Sequence, residues 1–182
     1  PGAPDHDGGA RVIEEYLRRM QAAGITMGRV WSAPWFCGLE WNAQWPGYHG
    51  LGRYNLQNAW RLDRILATAE ARGIAIELAL QPHGPFTLAY DVQWDDNPYN
   101  RANGGPLDEP RQVLANPEAR RWMRNRLRYQ AARWGPSPAL FGWLLWIELN
   151  TVNNNDDEIV AWHREMTAHL ARLDCGAHPV TT

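Results

Sequence analysis

Glu148 closes the run ALFGWLLWIEL, residues 139–149, a nearly continuous apolar stretch holding one carboxylate. An ionised group there is costly unless it is paired or used. Burial would raise its pKa toward that of a general acid able to protonate a leaving-group oxygen near neutral pH. The alternative is a solvated glutamate, or one held by Arg29 in an ordinary ion pair. His83, in LQPHG, stands where a strand gives way to a loop, placed to bond sugar hydroxyls or orient a carboxylate, or simply to serve as a structural histidine. Asn97, Tyr99 and Asn100, in NPYN, offer donors and acceptors that match hydroxyl groups, although the same residues make good turn chemistry.

Tryptophan is the second signal. The chain has 11 of them, and Trp35, Trp41, Trp45 and Trp94 fall in segments that read as loops. Large aromatic faces stack on the apolar faces of sugar rings, so a loop cluster of this kind points to carbohydrate. The net charge of −2 gives no basic footprint, which excludes nucleic acid on electrostatic grounds. No run reaches the roughly 18 to 20 apolar residues that span a bilayer, so no membrane partner is expected. Cys37 and Cys175 lack CxxC or His partners at ligand spacing, so neither a metal nor any other cofactor is expected.

The elements that must position these groups alternate as βα units, which predicts an α/β fold with a parallel sheet in one domain spanning residues 1–182. A helix is predicted from Ala10 to Ala23, closed by Gly24, and a strand from Ile25 to Ser32. A second helix, Asn55 to Arg72, stops at Gly73, and a strand follows from Ile74 to Leu80. Residues 81–114 form a long polar stretch rich in Asn, Asp, Gly and Pro, read as a binding loop. Asn116 and Pro117 open a basic helix that ends near Gly135, before the strand Ala139 to Leu149. Asp156 or Asp157 is expected to cap a fourth helix, and His178 to Thr182 starts another strand.

The blocks GITMGRVWSAPW, GLGRYNLQNAWRLDRILATAEARGIAIELAL, QPHGPF, NPYNRANGGPL, LRYQAARWGPSP and LFGWLLWIEL together resemble the bacterial cellulase-like glycoside hydrolases of clan A. The resemblance covers nearly the whole chain. It implies about four βα units of a partial (β/α)8 TIM barrel, a retaining mechanism and a β-linked polysaccharide substrate. In that family the fourth strand typically reads W-E-L-W-N-E. An ungapped match places Trp143, Leu145, Trp146 and Glu148 on it, which makes Glu148 the acid/base. By the same resemblance Arg29 and His83 support the site, while Trp31, Trp35, Trp41, Trp94, Trp146, Asn97 and Tyr99 hold the carbohydrate.

The match also puts Leu144 where the family has a glutamate and Ile147 where it has the asparagine that contacts the sugar 2-hydroxyl. Loss of that hydrogen bond should slow the reaction. A retaining glycosidase needs a second carboxylate about 5 Å away, which this clan takes from its seventh strand, whereas this sequence reaches about the fifth. The resemblance further implies a first strand before Pro1. A complementing barrel half or a homo-oligomer is therefore the expected partner. The rival reading is a noncatalytic pseudoenzyme, scaffold or carbohydrate-binding fragment, in which Leu144 and Ile147 serve packing.

Overall fold

The computed structural model describes the backbone of residues 6–152 and 155–182, and the side chains from residue 11 onward within that range. Four strands form one parallel sheet in sequence order: β1 (Met27–Trp31), β2 (Ala75–Ala79), β3 (Leu140–Leu144) and β4 (Val180–Thr181). Helix α1 (His6–Ala22) precedes β1. The crossovers run through α2 (Leu56–Ala71), α3 (Pro117–Trp134) and α4 (Asp156–Ala171). This is the α/β repeat that the alternating sequence pattern requires.

The helix ends follow from their capping chemistry. Asn55 accepts from the N–H groups of Gln57 and Asn58 at the start of α2. Asn116 does the same for Glu118 and Ala119, with Pro117 at the first helical position of α3. Helix α4 is capped by Asn155, whose side chain accepts from the Glu158 N–H; Asp156 and Asp157 lie inside its first turn, where their charges favour the helix dipole. The predicted cap, Asp156 or Asp157, is therefore one or two residues late. Helix α1 begins at His6 rather than Ala10, because neither Gly8 nor Gly9 interrupts it.

Alternation along the strands separates two faces. Val30, Ile76, Leu78 and Trp143 point to the helices and pack with Leu62, Leu66, Met123, Leu127, Trp162 and Met166. Trp31, Ala79, Leu144 and Ile147 form a small second cluster on the opposite face. Within the registered pairs Arg29↔Glu77 and Glu77↔Gly142, Arg29 donates to Glu77 at 2.6 Å. Thr181 donates to the other oxygen of Glu77 at 3.0 Å. One polar layer thus ties β1, β2 and β4 together.

The turn from α4 into β4 is clamped by Asp174. Its carboxylate accepts from the buried Trp143 indole at 3.0 Å and from the His178 backbone N–H at 2.9 Å, with the His178 ring alongside. These donors hold the Asp174 carboxyl below its ordinary value, although burial itself pushes it up.

Candidate functional site

Strand β3 ends at Leu144, five residues before the predicted Leu149, so Glu148 lies on the turn beyond the strand rather than at its tip. Ile147 N–H still bonds to the Gln81 carbonyl at 2.9 Å, which holds the segment against the end of β2. Glu148 then takes a left-handed conformation, φ 54°, and Leu149–Thr151 follows as a short 3-10 turn. This reversal lifts the carboxylate out of the apolar run. Its side chain is 52% exposed, so the desolvation expected from the sequence is not present.

Two side chains gather at this carboxylate, and a third, Asp91, stands behind one of them. The Tyr90 hydroxyl donates to Oε2 at 2.9 Å. His83 Nδ1 lies 3.6 Å from the same oxygen, while His83 Nε2 lies 3.4 Å from Asp91 Oδ2. Both distances exceed a good N–H···O bond, and neither ring nitrogen makes one in this geometry. The imidazole is 9% exposed and stacks at a tilt on Tyr90, centroids 5.1 Å apart. Arg29, the alternative partner for Glu148, is instead paired with Glu77 one layer down the sheet.

A buried polar network supports the His83 segment from behind. Glu40 accepts from the Gly52 N–H at 2.8 Å and from Arg126 at 3.3 Å. Arg126 also donates to the Gln81 side chain at 2.8 Å, two residues before His83. The Glu40 side chain is only 1% exposed, and burial pushes its carboxyl above the ordinary value against the pull of Arg126 and Gly52. A cavity of about 20 Å³ adjoins this network, lined in part by Glu40, Trp41, Gln81, Tyr99 and Arg126.

The long loop is ordered by its own asparagines. Asn97 donates to the Pro85 carbonyl and accepts from the Tyr99 N–H, Asn100 donates to the Trp94 carbonyl, and Asn103 donates to the Asp95 and Asn97 carbonyls. Asn97 and Tyr99, expected at the sugar, are thus interior groups of the loop. Trp41, Trp94 and Trp146 are buried as well; Trp146 packs edge-on against Phe86 and Trp162, with centroids 5.0 and 5.4 Å away. Their faces are covered by protein. Trp35, 58% exposed, and the half-buried Trp31 remain open, beside a hollow that they share with Ile13, Arg29, Val30 and Phe36. A polar groove of about 620 Å³ is lined by Gln112, Asn150, Thr151 and Asn155, among others, the second and third of these following Glu148 on the same turn.

Tyr90 is the contact that the sequence did not disclose, since one tyrosine in a polar loop has no spacing that links it to a residue 58 positions later. Among the described residues no group of three or more His, Cys, Asp or Glu converges at metal-ligand geometry, and no helix is long and apolar enough to cross a membrane.

The strand order, the helical crossovers and a carboxylate raised beyond a strand's C-terminal end define a partial (β/α)8 barrel, and the chain resembles the clan A cellulase-like glycoside hydrolases. In sequence it is similar to the probable mannan endo-1,4-beta-mannosidase F of Aspergillus oryzae, 24% identical over 89% of this chain and 35% of that protein. In structure it is similar to the endo-1,4-beta-D-mannanase of Thermotoga petrophila RKU-1, with TM-score 0.67 and 21% identity over 92% of this chain and 49% of that one. It is also similar to the endo-1,4-beta-mannanase of Rhizomucor miehei, with TM-score 0.68 and 17% identity over 94% and 51%. The chain spans about a third of the length of the curated relatives it matches and about half of these solved chains. No family model matches the sequence.

Proposed function

We propose that this chain carries the acid/base side of a retaining glycoside hydrolase acting on a β-1,4-linked polysaccharide of the mannan type, with Glu148 as the acid/base. The observation that carries this reading is the Glu148 turn: a half-exposed carboxylate at the C-terminal face of the sheet, bonded by Tyr90 and flanked by His83. Glu148 would protonate the glycosidic oxygen as its bond to the sugar breaks, then take a proton from the attacking water. The polar groove beyond Thr151 supplies amide groups that match sugar hydroxyls, and Trp35 supplies an open aromatic face. The nucleophilic carboxylate would come from a strand outside this sequence, in a complementing half of the barrel.

A noncatalytic reading has its own observation. Ile147 and Leu144 pack on Ala79 as a buried apolar patch where the resembling family has polar groups. The test is hydrolysis of aryl β-mannosides and β-glucosides by the chain joined with a complementing barrel half that supplies the nucleophile, and by the same pair carrying Glu148→Gln. Turnover that is lost in the variant supports the acid/base assignment. Turnover retained in the variant refutes it, and none in either supports the noncatalytic reading.

A further inference from the structure

The contacts to the Glu148 side chain fall on one of its two oxygens. Tyr90 donates to Oε2 at 2.9 Å, and His83 Nδ1 stands nearest the same atom at 3.6 Å. Tyr90 itself is held by more than this bond. Its ring rests on the buried His83 imidazole, and the next residue, Asp91, sits at φ 50° with its carboxylate 3.4 Å from the far side of that imidazole. The base of the same segment is crowded, because a Cβ at Gly84 would stand 2.7 Å from the Asp91 carbonyl oxygen. Its flank is tied across to the Glu148 turn by Thr87, whose hydroxyl lies 3.4 Å from the Thr151 carbonyl. Residues 84–91 therefore fold back over the end of β2 and bring one hydroxyl to the turn beyond β3.

We propose that Tyr90 is a positioning residue for Glu148: its hydroxyl fixes Oε2, so that Oε1 is the oxygen that gives and takes the catalytic proton. The proposal rests on the acid/base reading above. A carboxyl group whose Oε2 accepts an O–H bond carries its own proton on Oε1. In the first step that proton passes to the glycosidic oxygen, which keeps the electron pair of its broken bond to the anomeric carbon, while that carbon bonds to the nucleophilic carboxylate. In the second step water attacks the anomeric carbon, the bond to that carboxylate breaks, and Oε1 takes the water's proton. The Tyr90 bond holds one carboxylate rotamer through both steps, which a half-exposed glutamate would otherwise leave.

The groups facing the Tyr90 hydroxyl are Thr151 and Glu148 on the β3 turn, with His83 and Asp91 on its own side. The phenol is raised above its ordinary value: a hydrogen bond with Thr151 pulls it down, but desolvation, the Glu148 bond and the charges of Glu148 and Asp91 outweigh that pull.

The experiment uses the chain labelled with 13C at the tyrosine ring carbon that bears oxygen, with the Tyr90 signal assigned by its loss in Tyr90→Phe. In Glu148→Gln the Tyr90 titration should move to lower pH. A titration that does not move overturns the proposal, because the hydroxyl is then not bonded to the carboxylate in solution. Wherever glycoside turnover is measured, Tyr90→Phe should lower kcat by roughly tenfold to a hundredfold, the scale of a misplaced catalytic group, while KM holds. A rise in KM at constant kcat overturns positioning in favour of a binding role. Absence of turnover in the chain joined with a complementing, nucleophile-bearing barrel half, with the Tyr90 shift present, removes the acid/base reading and leaves the hydroxyl–carboxylate pair standing.

Discussion

Replacing Glu40 with alanine should destabilise the chain far more than loss of any surface ion pair. Glu40 and Arg126 are 1% and 13% exposed at their side chains, so the substitution strands a guanidinium in the interior and leaves the Gly52 N–H without its acceptor. Breaking a buried pair by removing one partner costs about 3–5 kcal/mol. At about 2–4 °C per kcal/mol for a domain of this size, the melting temperature should fall by roughly 6–20 °C. Urea unfolding at pH 7, followed by circular dichroism and by tryptophan emission, gives the free energy directly. The double variant Glu40→Leu with Arg126→Met removes both charges and should recover most of the loss, since apolar pairs of similar volume often replace buried ion pairs without penalty. A loss below about 1 kcal/mol for Glu40→Ala, the size found for exposed pairs, would refute the buried network behind His83.

Two further outcomes follow from other features. The Asp174 carboxyl is held below its ordinary value, so its stabilisation is present above the unfolded-state value and disappears as pH falls through the folded one; Asp174→Asn should flatten the acid side of a plot of urea midpoint against pH, and an unchanged acid side would count against the clamp. The outer edge of β1 has no strand partner among the described residues, and Met27, Trp35, Val12 and Tyr16 expose apolar surface. The chain should therefore self-associate, and sedimentation showing a compact monomer at all concentrations would sink that expectation.

Much of the framework was readable from local chemistry. Asn55 with Gly73 and Asn116 with Pro117 mark helix ends through bonds that each makes within a few residues, and the apolar periodicity of α2 and α3 states which face is buried. Glu148 could be singled out because a carboxylate beside WLLWI breaks an apolar run. What the sequence concealed depends on distance along the chain. Arg29 finds Glu77 across 48 residues and Glu40 finds Arg126 across 86, so neither pairing has a signature in spacing. The loop tryptophans illustrate the same limit: Trp41 lies outside regular structure and Trp94 opens a short 3-10 turn, yet both are buried and supply part of the packed interior, a use of tryptophan that composition does not separate from sugar stacking.

The left-handed backbone at Glu148 has a consequence for how this protein would respond to selection. A side chain bearing a Cβ at φ 54° costs about 1 kcal/mol or more, a cost glycine largely avoids. Random mutagenesis scored only by heat tolerance would favour Glu148→Gly, and with it discard the carboxylate that accepts from Tyr90. Under the acid/base reading proposed above, thermal resistance and activity would pull this one codon in opposite directions, so a library meant to improve both would hold position 148 fixed and look for stability elsewhere.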